Sequence, residues 1–440
     1  SLVYQAFLSL CHAQSACHLP RQREEKDFST VCGECIFDKN TFTFCIYIRF
    51  KILLFLSILG KIYNEDVMRR ANIFRHNTMG DVKLMQAHNL IDLETVSKAD
   101  LQEIIALAGM IKDNPSIFTD ACHGKIMATL FYEPSTRTKM SFQTAMLRLG
   151  GQVIGFDNPS NASIAKGESL KDTIRMVSGY ADVIVMRNPV EGSAYAASLY
   201  SDIPIINAGD GGHLHPTQTL TDIVTLSYEK GTLEGLTIGL CGDMKNGRTV
   251  HSLIKTLSKY KGNRFIMIST PELQLPQYML DILEESGCAY SFSDSLEKAI
   301  GELDVLYMTR IQQERFRSVE EYEAQKGIYV LDTKKMALAK KDLAVLHPLP
   351  RVDEITVEVD DDPRAKYFVQ AEYGMYARMA LIIKMLSMHA PKPQLLLQND
   401  TAHTCANPRC VTNSEGYVPH LFYQKGGKTV CKYCDSLTDE

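Results

Sequence analysis

From about residue 100 to residue 388, short apolar runs alternate with segments whose apolar residues recur every three or four positions. The short runs, rich in Ile, Val and Leu, predict buried β-strands, and the longer spacing predicts amphipathic α-helices. Strands that alternate with helices form parallel sheets covered by helices on both faces. The pattern therefore predicts an α/β fold made of two successive units. The strands are predicted at 125–130, 151–156, 182–187, 204–208, 236–243, 264–269 and 304–310.

A cluster of hydroxyl and guanidinium side chains, Ser135-Thr136-Arg137-Thr138, follows the first predicted strand. Apolar residues then recur at helical spacing over 140–149, so the cluster lies where a strand passes into a helix. Amide groups at a helix N-terminus have no partner within the helix, and the helix dipole favours an anion there. The planar guanidinium of arginine suits phosphate oxygens. We interpret the cluster as a phosphate cradle, with an ordinary Ser or Thr N-cap as the alternative.

The composition is ordinary for a globular protein, with 440 residues of which 45% are hydrophobic and 22% are charged. This length predicts about two or three domains. The formal net charge of -5 argues against a general nucleic-acid-binding protein, which needs a basic surface. The twelve cysteines are unevenly spread and show no disulfide framework in the middle of the chain. This favours a reducing compartment, and a cytoplasmic location is expected.

Residues 1–78 do not continue the α/β pattern and are interpreted as an extension of doubtful structure. The stretch 41–62 is rich in Phe, Ile and Leu, but Arg49 and Lys51 lie in its middle. Its uncharged run at 52–60 is too short to span a bilayer. No membrane association is therefore expected, with a signal anchor starting near Thr41 as the alternative. The extension is left out of the fold prediction.

Four cysteines near the C-terminus have the spacing of a structural metal site. Cys405 and Cys410 form one pair, Cys431 and Cys434 form the other, and twenty residues separate the pairs. Two such pairs predict a four-cysteine zinc site, with four unrelated thiols as the alternative. A module of about 35 residues buries too little apolar surface to fold alone, so the metal is expected to hold it together. The sequence thus predicts a small zinc-bound β module at 403–440 behind a polar linker at 391–402.

Four motifs occur in the order and approximate spacing of the transcarbamoylase family, which the central part of the chain resembles. They are Glu133-Pro-Ser-Thr-Arg-Thr138, Val185-Met-Arg-Asn-Pro189, His215-Pro-Thr-Gln218 and His347-Pro-Leu-Pro-Arg351. The resemblance implies a carbamoyl-phosphate-binding domain at 79–230, completed by a helix at 371–388, and an aspartate-binding domain at 231–370. It also implies two doubly wound parallel-sheet domains, joined by a hinge, that close on the substrates.

The resemblance assigns most of the polar motif residues to carbamoyl phosphate. Amine attack on its carbonyl gives a tetrahedral intermediate with an oxyanion, so preorganised donors aimed at that oxygen are the main expected catalytic device. The implied catalytic residues are Arg137, Thr138, Arg187 and His215. His215 is expected to donate a hydrogen bond to the carbonyl oxygen rather than to act as a base. Besides these four, the residues implied at carbamoyl phosphate are Ser135, Thr136, Ser163, Lys166 and Gln218, the last at its amino group.

Two further arginines, Arg248 and Arg310, fall at strand or loop ends of the second unit, and two cationic groups suit a dicarboxylate. The segment around Arg310 resembles the aspartate-binding segment of the family, and the segments of its ornithine-specific members are missing. The resemblance implies that both arginines and Gln312 bind aspartate. Leu349 is implied to supply a backbone carbonyl near the amine. Glu133 and Arg315 are implied to form contacts between the domains on closure.

The implied reaction makes N-carbamoyl-L-aspartate and phosphate in pyrimidine biosynthesis, and it needs no cofactor for catalysis. Two alternatives are a carbamoyltransferase for another amino acid and a non-catalytic scaffold whose zinc module binds partners. Loss of a cradle residue would favour the scaffold, but Arg137, Thr138, Arg187, His215 and Gln218 are all present.

The loop 163–168 resembles the mobile loop that, in this family, reaches into the active site of a neighbouring subunit. Lys166 is thereby implied at both carbamoyl phosphate and aspartate, with a solvated lysine loop as the alternative. The resemblance implies a homotrimer with shared active sites. The C-terminal tail is similar to the zinc domain of the regulatory chain that accompanies the catalytic chains of bacterial members of this family. In those proteins the zinc domain docks onto the catalytic chains. We therefore hypothesise that the zinc module links trimers.

Overall fold

The computed structural model describes residues 89–158, 163–311, 316, 318–387 and 399–438. The predictions for the extension 1–78, for Gln312 and for Arg315 lie outside the described residues. So does the greater part of the predicted linker. Among the described residues, no helix is both long and apolar enough to cross a membrane.

The first domain contains a parallel sheet of four strands, flanked by five α-helices. The strands are β1 (Ile126–Phe131), β2 (Gln152–Phe156), β3 (Val183–Asn188) and β4 (Ile205–Asp210). The helices are α1 (Lys98–Asp113), α2 (Thr136–Arg148), α3 (Leu170–Ser178), α4 (Ser193–Tyr200) and α5 (Pro216–Lys230). The strand order is β2-β1-β3-β4, so β1 pairs with β2 on one side and with β3 on the other. The strand connections on the two sides of β1 run in opposite directions, which creates a switch point beside its carboxyl end. Ligands bind at such points in open parallel sheets.

The second domain repeats this architecture with a parallel sheet of five strands. The strands are β5 (Thr237–Cys241), β6 (Arg264–Ile268), β7 (Ala289–Ser293), β8 (Val305–Met308) and β9 (Ala344–Leu346). The helices are α6 (Arg248–Leu257), α7 (Gln277–Glu285), α8 (Leu296–Ala299), α9 (Val319–Gln325) and α10 (Thr333–Met336). The order β7-β6-β5-β8-β9 again places a switch point beside the first strand of the domain. The two doubly wound sheets confirm the predicted fold class.

A long helix, α11 (Tyr367–Ser387), follows the second domain and packs against α1, α2 and α5 of the first. Its apolar residues join the large hydrophobic core that extends through both domains. The helix approaches α5 closely at Gly374, where an added Cβ would lie 2.8 Å from the hydroxyl oxygen of Thr221. A glycine is therefore required at this crossing.

The C-terminal module (residues 399–438) contains a short helix, α12 (Val411–Ser414), and an antiparallel hairpin of β10 (Phe422–Lys425) and β11 (Lys428–Cys431). The hairpin agrees with the small β module that the sequence predicted here. Tyr417 and Val418 lie in the turn before the hairpin. The apolar side chains of the module share one hydrophobic cluster with β1, β3 and α4. The module therefore packs on the first domain of its own chain.

Backbone hydrogen bonds hold the C-terminal module on the loop between β3 and α4. The amide of Glu191 donates to the carbonyl of Arg409 at 3.0 Å, and its carbonyl accepts from the amide of Val411 at 2.9 Å. The next residue, Gly192, has a φ of 80° and lies so close that an added Cβ would be 2.5 Å from the Cβ of Tyr433. A side chain at this position would separate the two surfaces.

Candidate active site and metal site

A cleft of about 690 Å³ is lined by the ends of both sheets and by α11. Most of the predicted site residues meet here. The cradle after β1, the end of β3 and the start of α5 come from the first domain, whereas the loops after β5, β8 and β9 come from the second. The predicted residues that line it are Ser135, Thr136, Arg137, Thr138, Arg187, His215, Gln218, Arg248, Arg310 and Leu349.

The cradle is the N-terminus of α2. Ser135 occupies the N-cap position, but its side chain makes no capping hydrogen bond. The ordinary N-cap, which was the alternative for Ser135, is therefore wrong for this residue, which lines the cleft. Partial burial and the nearby charge of Arg187 lower the pKa of Arg137. Two cations that destabilise each other in this way form a positive site that an anion would stabilise.

Arg187 connects the cradle to the imidazole of His215. Its Nη1 lies 3.4 Å from Nε2 of His215, and its Nη2 lies 2.6 Å from Oε1 of Glu133. The sequence analysis placed Glu133 in contacts between the domains, whereas its carboxylate here pairs with an arginine of its own domain. The Nε of Arg187 is buried without a hydrogen-bond partner. The guanidinium thus retains a donor beyond its present contacts.

His215 is held as a neutral imidazole. Burial lowers its pKa well below 6.5, and the charges of Arg248, Arg187 and Arg378 lower it further. A neutral imidazole carries one N–H and can donate one hydrogen bond. It cannot lend a positive charge, but it can donate to a carbonyl oxygen, which agrees with the role expected for it.

Gln218 is fixed by a buried carboxylate one turn along α5. Its Nε2 donates to Oδ1 of Asp222 at 2.8 Å, and Nε2 of Gln370 donates to the same oxygen at 2.6 Å. Tyr307 donates to the other oxygen at 3.0 Å. The Gln218 amide nitrogen therefore faces Asp222. The Gln218 carbonyl oxygen is left as the acceptor for a ligand N–H.

Asp222 is expected to make the protein less stable as the pH rises. Burial, although opposed by the hydrogen bonds of its three donors, raises the pKa of Asp222 from 3.8 to about 7. Between these values the folded protein holds more protons than the unfolded chain, so the free energy of unfolding falls with rising pH, by at most roughly 4 kcal/mol. We expect Asp222→Asn, whose oxygen can still accept from both glutamines, to flatten this dependence. Calorimetric Tm values from pH 5 to 8 would show it; a Tm that falls as steeply in the variant would contradict it.

Arg248 and Arg310 face the cleft from the second domain. Arg248 begins α6, and its Nη1 donates to the carbonyl of Gly211 in the first domain. Arg310 is half-buried and follows β8. The two guanidiniums therefore line the same cleft as the cradle.

The loop after β9 is held by a defined tautomer of His347. The amide of Leu349 donates to its Nδ1 at 2.7 Å, so the ring proton lies on Nε2, which donates to Oε1 of Glu354 at 2.6 Å. Burial opposes ionisation of Glu354, yet hydrogen bonds from His347 and the backbone lower its pKa. Leu349 has a φ of 54° and precedes a cis peptide bond to Pro350. Leu349 lines the cleft, and its amide is held by the buried His347.

The segment 163–166 contains two of the remaining predicted residues. Ser163 and Lys166 begin and end a short 3-10 helix, and Lys166 is exposed. Lys166 is not among the described residues that line the cleft in the same chain. Gln312 lies outside the described part of the chain.

Sequence reasoning missed the buried groups that support the site. Asp222, Tyr307, Gln370 and Glu354 were not singled out. Asp222 carried a local signal, because a residue four positions after Gln218 shares its helix face. The glutamine and the tyrosine that complete the same network come from distant parts of the chain.

Four thiols form a metal site in the C-terminal module. The sulfur atoms of Cys405, Cys410, Cys431 and Cys434 are buried and lie within 4.8 Å of one another. The sulfurs of Cys405 and Cys434 are 3.4 Å apart, and those of Cys410 and Cys431 are 3.8 Å apart. Tetrahedral zinc with bonds of about 2.3 Å separates its sulfur ligands by about 3.8 Å. The donor set and its spacing fit a structural metal ion.

Comparison with known families identifies three domains between residues 88 and 440. Residues 88–228 match the carbamoyl-phosphate-binding domain of aspartate/ornithine carbamoyltransferases, and residues 234–385 match the Asp/Orn-binding domain. Residues 402–440 match the metal-binding domain of the aspartate carbamoyltransferase regulatory chain. The fold and the cleft are thus those of the carbamoyltransferase class.

Individual relatives indicate which family within this class the chain belongs to. The chain is 59% identical over 304 residues to the aspartate carbamoyltransferase catalytic subunit of Clostridium perfringens, covering 69% of this chain and 99% of that protein. Among solved structures it resembles the catalytic subunit of M. jannaschii aspartate transcarbamoylase (46% identity, TM-score 0.64, 68% of this chain and 98% of that one). It also resembles the Trypanosoma cruzi enzyme in complex with N-(phosphonacetyl)-L-aspartic acid (40% identity, TM-score 0.65, 69% and 97%). The chain belongs to the aspartate carbamoyltransferase family.

Proposed function

We propose that the interdomain cleft transfers the carbamoyl group of carbamoyl phosphate to the amine of L-aspartate, giving N-carbamoyl-L-aspartate and phosphate, as in pyrimidine biosynthesis. The observation that carries this is the convergence of a phosphate cradle, a neutral histidine and two arginines in one cleft. The Trypanosoma cruzi enzyme has been solved in complex with carbamoyl phosphate, and with carbamoyl phosphate and aspartate together, which supports the same substrates here. No step of this transfer requires electron exchange, so the chemistry needs no redox cofactor.

Binding of carbamoyl phosphate starts at the cradle. The amides of the first turn of α2, the hydroxyls of Ser135 and Thr136, and Arg137 hold the phosphate. Arg137 and Arg187 repel each other, and both attract this anion, so its negative charge offsets their repulsion. The phosphate is also the leaving group, so these donors stabilise the charge that it gains when the C–O bond breaks.

The carbonyl oxygen binds beside Arg187 and His215, within hydrogen-bonding reach of both. Their nitrogen atoms are 3.4 Å apart, so they converge on the same region of the cleft. Thr138, Arg187 and His215 donate to this oxygen and stabilise the oxyanion after amine attack. The Gln218 carbonyl accepts from the carbamoyl amino group, because Asp222 holds the other end of its amide. This contact distinguishes a carbamoyl group from an acyl group of similar size.

Arg248, Arg310 and Gln312 bind the two carboxylates of aspartate, and the Leu349 carbonyl faces its amine. Ornithine carries a second amine instead of a second carboxylate and would place a cation near these arginines. The aspartate-specific assignment therefore agrees with both the charges of the cleft and the names of the relatives.

The reaction is tested by phosphate release from carbamoyl phosphate, with aspartate and ornithine added separately to the full chain. We expect release with aspartate and none above background with ornithine. Arg310→Gln should raise the KM for aspartate about 10- to 100-fold, because a charged hydrogen bond is worth roughly 1.5–3 kcal/mol, and leave the KM for carbamoyl phosphate within about twofold. Release with ornithine would contradict the aspartate assignment. A folded chain that releases phosphate with neither would favour the scaffold.

A homotrimer with shared sites is supported by the exposed position of Lys166. Lys166 is not among the described residues that line the cleft of its own chain, although the family resemblance assigns Ser163 and Lys166 to the substrates. Coexpression of Lys166→Gln chains with Arg137→Gln chains tests this arrangement. In a random cyclic trimer, about a quarter of the sites would combine an intact cradle with an intact neighbouring loop, and activity should return to that level. Mixtures as inactive as either parent would contradict shared sites.

Zinc is the metal that the four cysteines fit best, because it favours tetrahedral thiolate sites. The seven described cysteines are all unpaired, which supports a reducing, cytoplasmic environment. Whether the C-terminal module also links catalytic trimers is tested by the mass of the assembly. A fall in mass on chelation supports the linkage, whereas an unchanged mass contradicts it.

A further inference from the structure

One side chain of the C-terminal module reaches the loop that precedes His215. Asp435 directly follows the last metal-site cysteine, and its Oδ2 lies 3.2 Å from Nε2 of His213. Its other oxygen accepts from the hydroxyl of Tyr423, in the hairpin of the module, at 3.1 Å. The carboxylate is thus held from one side by the module and bonded on the other to the first domain.

The other nitrogen of the His213 ring contacts a second carboxylate, which is buried. Its Nδ1 lies 3.0 Å from Oδ2 of Asp210, and the His213 side chain is only 12% exposed. Carboxylates accept and do not donate, so the ring donates from both nitrogens. The two carboxylates therefore fix the orientation of the ring completely.

Asp210 in turn fixes the backbone of the loop 210–214. Its Oδ1 accepts from the amide of Leu214 at 3.0 Å, and its Oδ2 accepts from the amide of Gly192 at 3.0 Å. The loop carries the Gly211 carbonyl, to which Arg248 donates, and it leads directly into His215. His215, which is proposed to polarise the carbonyl, and Arg248, which is proposed to bind aspartate, thus both depend on this loop.

We propose that Asp435 is a positioning residue for the reaction. Through its contact with His213, the C-terminal module fixes the loop 210–214. The loop in turn positions His215, which follows it, and Arg248, which donates to its Gly211 carbonyl. The proposal rests on the proposed function of the cleft. It gives the module a role in catalysis within its own chain, separate from any link between trimers.

The test is Asp435→Asn in the full-length, metal-loaded protein. Asparagine tolerates the left-handed backbone at this position, where φ is 58°. Its oxygen can still accept from Tyr423, but its amide then directs a donor at the donor of His213. We expect kcat to fall and the KM for aspartate to rise, by about tenfold in kcat/KM, because small misplacements of reacting groups are costly. The KM for carbamoyl phosphate should stay within about twofold, since the cradle lies on α2.

Tyr417→Phe is the matched control. The Tyr417 oxygen accepts from the amide of Lys171 at 2.8 Å, so this variant also removes a hydrogen bond between the module and the first domain. That contact lies at α3, away from the loop 210–214, and we expect kcat and both KM values within about twofold of the wild type. Equal losses in both variants would overturn the proposal, because docking alone would then explain them.

A double-mutant cycle with His213→Gln tests the coupling itself. Once the contact is broken from one side, breaking it from the other should cost little, so the effects of Asp435→Asn and His213→Gln on kcat/KM should not multiply. Metal content, measured as moles per chain, should be unchanged in both. Independent effects, loss of metal, or wild-type kinetics in Asp435→Asn would each overturn the proposal. An inactive wild type would instead overturn the proposed function, so the two failures are distinguishable.

Discussion

Replacing Arg187 by Gln should lower kcat by about 10²- to 10³-fold, because removal of one donor to a developing oxyanion typically costs that much. Arg187 lies between the cradle and His215, with Nη1 3.4 Å from the imidazole Nε2. It is the group placed to contact both the carbonyl oxygen and the phosphate. Its loss also removes a charge that lowers the pKa of His215, although burial still favours the neutral ring.

Steady-state kinetics with saturating aspartate would measure this effect, and Arg175→Gln provides the control. Arg175 is exposed on α3 of the same domain, so the variant makes the same change in net charge away from the cleft. We expect the kcat of the control within about twofold of the wild type. A kcat for Arg187→Gln within fivefold of the wild type would exclude the assigned role.

Removal of the metal should unfold the C-terminal module while leaving the two sheet domains folded. The module has one short helix and one hairpin, so its own apolar core is too small to support it. Structural zinc supplies roughly 10–16 kcal/mol of apparent binding free energy in comparable small sites. Most of the stability of the module is therefore expected to come from the metal.

Hydrogen exchange at residues 405–434, with and without a chelator, would measure this effect. We expect exchange there to become fast, whereas strands β1, β3 and β5 stay protected. Cys405→Ser should reproduce the result and lose the metal. Cys288→Ser is the control, because Cys288 is a half-buried thiol of the second domain. Unchanged protection after complete metal removal would show that docking alone holds the module.

Activity should also decline on metal removal if Asp435 positions the loop before His215. The decline should resemble that of Asp435→Asn, with the KM for aspartate more affected than the KM for carbamoyl phosphate. Kinetics thus link the metal site to the cleft through a defined set of contacts.

Local sequence patterns predicted the architecture and the cradle because both depend on neighbouring residues. Apolar runs identified seven of the nine strands of the two parallel sheets to within a few residues, and the polar cluster 135–138 marked the strand-to-helix turn where the structure has the start of α2. The runs missed β7, which is largely exposed, and β9, which has only three residues. The spacing of the four cysteines likewise predicted the site that their sulfur atoms form. In each case the signal lies within a short segment or a fixed spacing.

The supporting networks could not be predicted, since they depend on side chains that the fold brings together over long distances. Asp222 receives donors from Tyr307 and Gln370, which are 85 and 148 positions away. His213 and Asp435 are 222 positions apart. No periodicity relates such residues. The prediction that Glu133 contacts the other domain differed from the observed pair with Arg187, because the ion pair within the domain is available without closure.

The covalent joining of the C-terminal module to the domain it packs on has a consequence for its behaviour on dilution. Docking within one chain is governed by an effective concentration, commonly in the millimolar range for short tethers, rather than by the protein concentration. The contacts at Glu191, Gly192 and His213 should therefore remain occupied at nanomolar protein, where separate chains with the same interface would dissociate. A subunit that leaves a larger assembly would carry its own docked module with it.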